Sequence, residues 1–115
     1  MVNKDSIKIY ELGVEALKEK KAENISVIDI SDFSSVADVM VVASGNNINQ
    51  IQAMADEVGQ ALGKGGYKHM SVEGYDKANW ILLDYNDVIF HLFDKENRNF
   101  YDLERLYRDG RFIEL

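Results

Sequence analysis

Ile7, Tyr10, Val14 and Leu17 fall three and four residues apart in a charged background, the spacing of an amphipathic helix over residues 5–22. Asn3 or Asp5 stands where its N-cap belongs. Ile25–Ile30 is short and β-branched, which predicts a strand. The polar connection SDFSSVAD leads to Val39–Ala43, an unbroken apolar run of the kind found in a central strand covered on both faces. Ser44-Gly45-Asn46-Asn47 breaks that run and offers caps to a second helix, whose apolar positions are Ile48, Ile51, Ala55, Val58 and Leu62. Gly63, Gly65 and Gly66 end it.

Residues 67–73 predict a third strand, and Gly74–Lys77 turns into a fourth around Trp80-Ile81-Leu82-Leu83. Asp84-Tyr85-Asn86-Asp87 then fits a tight hairpin, because Asn86 tolerates positive φ. With Asp84 opposite Asp87, Leu82 pairs with Ile89 and Trp80 with His91. One face of the hairpin then carries Trp80, Leu82, Ile89, His91 and Phe93. The other carries Ile81, Leu83, Val88, Phe90 and Leu92. A short aromatic helix is expected from about Phe100 to Tyr107. The order predicts an α/β fold in one domain, residues 1–115: a mixed five-stranded sheet flanked by helices. The helix after the second strand implies a parallel crossover, and the last hairpin is antiparallel.

Large side chains on both faces of the Asn79–Tyr107 stretch exceed what one buried sheet face requires, so either the protein covers both or one is kept for a partner. Composition narrows that choice. The chain has 115 residues, 46% of them hydrophobic and 29% charged, which is ordinary for a globular domain. No apolar run approaches the roughly 20 residues of a membrane span, and the N-terminal stretch lacks the apolar core of a secretory signal. There is no cysteine, which excludes thiol catalysis, disulfides and cysteine-ligated metals, and suits a reducing cytoplasm. The net charge is −7, and no Lys or Arg occurs between Lys21 and Lys64 while six acidic residues do. Such a surface repels phosphate backbones and draws basic proteins, so nucleic acid is not expected as the main contact.

Catalytic groups are sparse. The Ser44-Gly45-Asn46-Asn47 turn lacks the glycine spacing and the basic residue of a phosphate loop, so capping accounts for it. Asp29, Asp32 and Asp38 lie near adjacent strand ends, but the third strand has no alternating pair of aspartates to complete a nucleotidyltransferase-type metal site. His69 and His91 have no metal-ligand spacing. No cofactor, metal or catalytic residue is therefore expected. The competing reading is a nucleotide-binding or nucleotidyltransferase-like enzyme using Ser44, Asp29 and Asp32.

An ordered set of segments carries a resemblance. Asp29-Ile30-Ser31-Asp32-Phe33-Ser34, Ala37-Asp38 and Val41–Gly45 come first, followed by Glu73-Gly74, Trp80–Asp84, Asp87–Phe93 and Arg98–Tyr107. Together, over roughly residues 5–109, they resemble the Iojap-like ribosomal silencing factor family. Two positions depart from the pattern: Tyr107 stands where the family usually has Trp, and Asn86 where it usually has Gly. The resemblance implies a nucleotidyltransferase-like sandwich without the active site, often a homodimer. It also implies binding to large-subunit ribosomal protein fourteen, a basic protein on the intersubunit face, where the bound factor obstructs subunit joining and represses translation. With the hairpin register, it points to Trp80, Leu82, His91, Phe93, Tyr101 and Leu106 as contacts, with Asp84 and Glu104 supplying negative charge at the rim.

Overall fold

The computed structural model describes residues 2–115. Its elements are α1 (Lys4–Glu19), β1 (Glu23–Asp29), β2 (Val39–Gly45), α2 (Ile48–Lys64), β3 (Ser71–Glu73), β4 (Trp80–Asp84), β5 (Val88–Asp94), α3 (Lys95–Tyr101), α4 (Leu103–Leu106) and β6 (Arg111–Ile113). The strands form one mixed sheet of six in the order β3-β4-β5-β2-β1-β6. Among the described residues only β2 and β5 run parallel; the other neighbours are antiparallel.

Local chemistry explains most of these boundaries. Asn3 caps α1 by accepting from the Ser6 N–H at 2.8 Å, and Asn47 does the same for α2 from Gln50 at 2.8 Å. All seven residues of β2 are buried because the strand lies inside the sheet and both of its faces are covered. α1 and α2 cover one face. Ile9, Val14 and Leu17 from α1, with Ile51, Met54, Val58 and Leu62 from α2, meet Val41, Ile81, Leu83, Phe90 and Leu92. α1 comes so close that a Cβ on Gly13 would overlap the Phe90 ring.

The opposite face carries a second, smaller core of Ile28, Ile30, Met40, Val42 and Phe93, with Trp80, Leu103 and Tyr107 packed against it. The chain after β5 crosses this face. Asp94 caps α3 through Asn97, and Asp102, at φ 47°, ends it in a left-handed conformation that aspartate tolerates better than most residues.

The expected α/β architecture with a mixed, helix-flanked sheet is present, with four differences. The sheet has six strands rather than five, because Arg111–Ile113 adds β6 beside β1. Three residues without periodic signal are too short to read as a strand. The third strand is confined to Ser71–Glu73. The final helix begins at Lys95 and is split at Asp102. The hairpin register is also displaced by two residues. Trp80 pairs with Phe93, Leu82 with His91 and Asp84 with Ile89. The turn sits one position later than expected: Tyr85 N–H donates to the Val88 carbonyl at 2.9 Å, and Asn86 carries the positive φ of 69°. Since side chains alternate with a period of two, that displacement leaves every residue on its expected face.

Candidate docking face

The register lays out the second face row by row. Glu73, Leu82, His91, Val42 and Ser26 lie side by side across β3, β4, β5, β2 and β1. The next row holds Ser71, Asp84, Ile89, Met40, Ile28 and Phe112. The third holds Trp80, Phe93 and Ser44. The half-buried apolar groups Leu82 and Ile89 therefore sit beside the carboxylates of Glu73 and Asp84. That combination suits a partner presenting apolar and basic groups together.

Trp80 organises the end of this face nearest α3. Its ring centroid lies 4.5 Å from Tyr101 and 5.0 Å from Phe93. Its indole N–H donates to His91 Nδ1 at 3.0 Å. Nδ1 accepts only when it carries no proton, so the bond selects the neutral imidazole. Burial acts in the same direction and holds the His91 pKa down at about 4. Next to this cluster, Phe100, Tyr101, Arg105 and Leu106 line one shallow hollow. Phe100 is 78% exposed, Leu106 68% and Tyr101 45%, which leaves three large apolar groups in solvent within seven residues of chain.

The sequence-derived contact set is thus divided by the fold. Trp80, Leu82, His91 and Asp84 share the face, and Tyr101 and Leu106 stand beside it on α3 and α4. Phe93 is a correction: it is 0% exposed, lies in the smaller core and can only support Trp80 from beneath. Glu104 is a second correction. Its carboxylate is not a free rim charge, because Arg98 grips both oxygens, Nη2 to Oε2 at 2.8 Å and Nε to Oε1 at 3.2 Å. Burial alone would raise the Glu104 pKa, but its bonds to Arg98 and Ser26 outweigh that and lower it.

Three members of the site lay outside the sequence-derived set. Glu73 and Ile89 fall on the face by strand alternation, which was legible for Ile89 and not for the short β3. Phe100 gave no signal beyond its place in an aromatic run.

Two of the three groups of the competing enzymatic reading, Ser44 and Asp29, are engaged in structure, and Asp32 is exposed. Ser44 is buried, and its hydroxyl accepts from Arg98 Nη1 at 2.9 Å. Burial raises the Asp29 pKa, but bonds from the Ser31 hydroxyl and N–H, with Arg111 nearby, lower it overall. Among the described residues no group of three or more His, Asp or Glu could hold a metal ion, and no helix is long and apolar enough to cross a membrane.

Residues 3–115 match the family model described as ribosomal silencing factor during starvation. The chain belongs to the ribosomal silencing factor family. It is 36% identical over 107 residues to the ribosomal silencing factor of Halalkalibacterium halodurans, spanning 93% of this chain and 92% of that protein. Identity to the Bacillus subtilis ribosomal silencing factor is also 36% over 107 residues, 93% of this chain and 91% of that one. A crystal structure from Chromobacterium violaceum superposes with a TM-score of 0.87 at 31% identity, covering 95% of this chain and 90% of the other. The family is named for silencing ribosomes, a regulatory role, rather than for a reaction.

Proposed function

We propose that this chain is a steric repressor of translation that acts in the cytoplasm. It binds the large ribosomal subunit through ribosomal protein fourteen and keeps the small subunit from joining. The observation that carries this reading is the apolar surface of Trp80, Leu82, Tyr101 and Leu106, flanked by Glu73 and Asp84 on an acidic chain. Aromatic anchors inside a charged rim are what a protein interface requires, and the negative sign suits the basic partner implied by the family resemblance. Blocking by occupancy needs no catalytic group, only an affinity that competes with the small subunit.

The test is sedimentation of purified protein with large subunits, followed by addition of small subunits. Binding to the large subunit with loss of joined ribosomes is expected. Protein left at the top of the gradient, or joined ribosomes formed at normal yield with the protein bound, would refute the proposal. Calorimetry with nucleoside triphosphates and Mg²⁺ separates the enzymatic alternative, since steric repression predicts no heat.

A further inference from the structure

Arg98 is the most connected polar side chain outside the docking face. It is 9% exposed and ties its own helix α3 to three other elements. Nε and Nη2 fork onto Glu104 of α4 at 3.2 and 2.8 Å. Nη1 donates to Ser44 Oγ of β2 at 2.9 Å and to the Glu23 carbonyl of β1 at 3.3 Å. Nη2 also reaches Ser26 Oγ at 3.4 Å, and Ser26 in turn donates to Glu104 Oε2 at 2.9 Å. Resting on the proposed docking face, we infer that Arg98 is a positioning residue. It latches α3 and α4 to the sheet so that Tyr101 and Leu106 stand in register with Trp80 for the ribosomal partner.

Apolar anchorage of this segment is local: Tyr101 packs on the Trp80 and Phe93 rings and Tyr107 on Phe33. Leu103 and Tyr107 touch the smaller core, while Phe100 and Leu106 face solvent. The two helices have seven and four residues, too short to be stable alone, and they meet at the left-handed Asp102. Leu103, Tyr107 and the Tyr101 ring hold such a segment near the sheet by non-directional contacts, which permit more than one rotation. A planar guanidinium with directed bonds to α4, β1 and β2 fixes it. Stability does not by itself demand the pair, because apolar side chains in place of both members are often no less stable, whereas removing Arg98 alone strands the Glu104 carboxylate. Orientation is the property that the directed bonds add to this packing. Arg98 touches no part of the proposed partner surface, so its effect on binding passes through Tyr101 and Leu106.

The test compares Arg98→Met, Arg98→Lys and wild type in the full chain. Thermal unfolding and amide exchange of β2 and β5 report the sheet. The only tryptophan, Trp80, reports the segment, since Tyr101 lies against its ring. Co-sedimentation with large subunits reports binding. Arg98→Met is expected to keep the exchange protection of β2 and β5, shift Trp80 emission to the red and weaken large-subunit binding by at least about tenfold. Arg98→Lys, which keeps the charge but not the fork, is expected to recover part of both signals. A shifted Trp80 signal with wild-type binding would overturn the inference, as would unchanged emission in Arg98→Met. If Arg98→Met loses sheet protection, Glu104→Gln decides. It keeps hydrogen-bonding capacity while weakening the fork; a shifted Trp80 signal with weaker binding is expected, and either an unshifted signal or wild-type binding would overturn the inference. Wild-type protein that fails to bind large subunits refutes the proposed function instead, so the two failures are distinguishable.

Discussion

Replacing Trp80 separates an anchor from a filler, because its contacts can be costed individually. The hydrogen bond to His91 Nδ1 at 3.0 Å is worth about 1 kcal/mol net. The ring pairs with Phe93 at 5.0 Å and Tyr101 at 4.5 Å add about 0.5–1.5 kcal/mol each. Full burial of a large aromatic would bring the cost of truncation to about 3–5 kcal/mol, but Trp80 is only half-buried, so Trp80→Ala is predicted to lose about 2–3 kcal/mol of stability. Trp80→Phe keeps the stack and gives up the N–H bond, for about 1 kcal/mol. Affinity for the large subunit should follow the same order. An anchor is worth about 2 kcal/mol or more, so Trp80→Ala is predicted to raise Kd about 30-fold, and Trp80→Phe only a few-fold. Urea denaturation establishes that each variant is folded, and quantitative sedimentation with large subunits gives Kd. A folded Trp80→Ala that binds as wild type does would remove Trp80 from the interface and with it the proposed docking face.

Other outcomes follow from the same geometry. His91 has a folded pKa near 4 against 6.5 for the free side chain, so the folded state resists protonation that the unfolded state accepts. Its contribution is therefore complete above about pH 6.5 and lost as pH falls toward 4, up to about 3 kcal/mol. The stability of wild type relative to His91→Gln, read from urea midpoints, should fall as pH drops through that window and can change sign, and a constant difference would refute the assignment. Phe93→Ala is predicted to cost about 3–5 kcal/mol of stability as a core truncation, read by thermal unfolding. Gly13→Ala should destabilise by about 1–3 kcal/mol through overlap with Phe90 while leaving the docking face intact, so its folded fraction should bind large subunits normally. Asp84→Lys should slow association with large subunits and reduce its salt sensitivity, measured by stopped-flow mixing across ionic strength.

Most of the fold was legible because helix and strand periods are written in side chains that must be buried. α1, α2, β2, β4 and β5 are long enough for their patterns to rise above local noise, and each lies where its pattern put it. β3 and β6 are three residues each, and they exist because longer neighbours offer them an edge to pair with. The third strand was expected over residues 67–73 and is shorter than that, while no local pattern announces β6. The break at Asp102 was hidden for a related reason: a left-handed aspartate is a tertiary outcome, and Phe100–Tyr107 by itself reads as one helical run.

The docking face was legible to a different depth at each step. Strand alternation separated the Trp80 set from the Phe90 set, and that separation survived a two-residue error in register because both registers share its parity. Alternation says which face a residue points to. It does not say how deep that face is covered, and so Phe93 looked as available as Trp80 until the chain after β5 was seen to cross over it. Glu104 failed for the complementary reason. Six residues from Arg98 and across a helix break, it lies outside the three- and four-residue spacings that reveal ion pairs along a helix. An acidic residue near an apolar patch was read as a rim charge when its charge was already spent on a buried arginine. The negative charge that a basic partner would meet therefore comes from the opposite side of the face, from Glu73 and Asp84 on β3 and β4, while Glu104 would act on such a partner only through the helices it helps to hold.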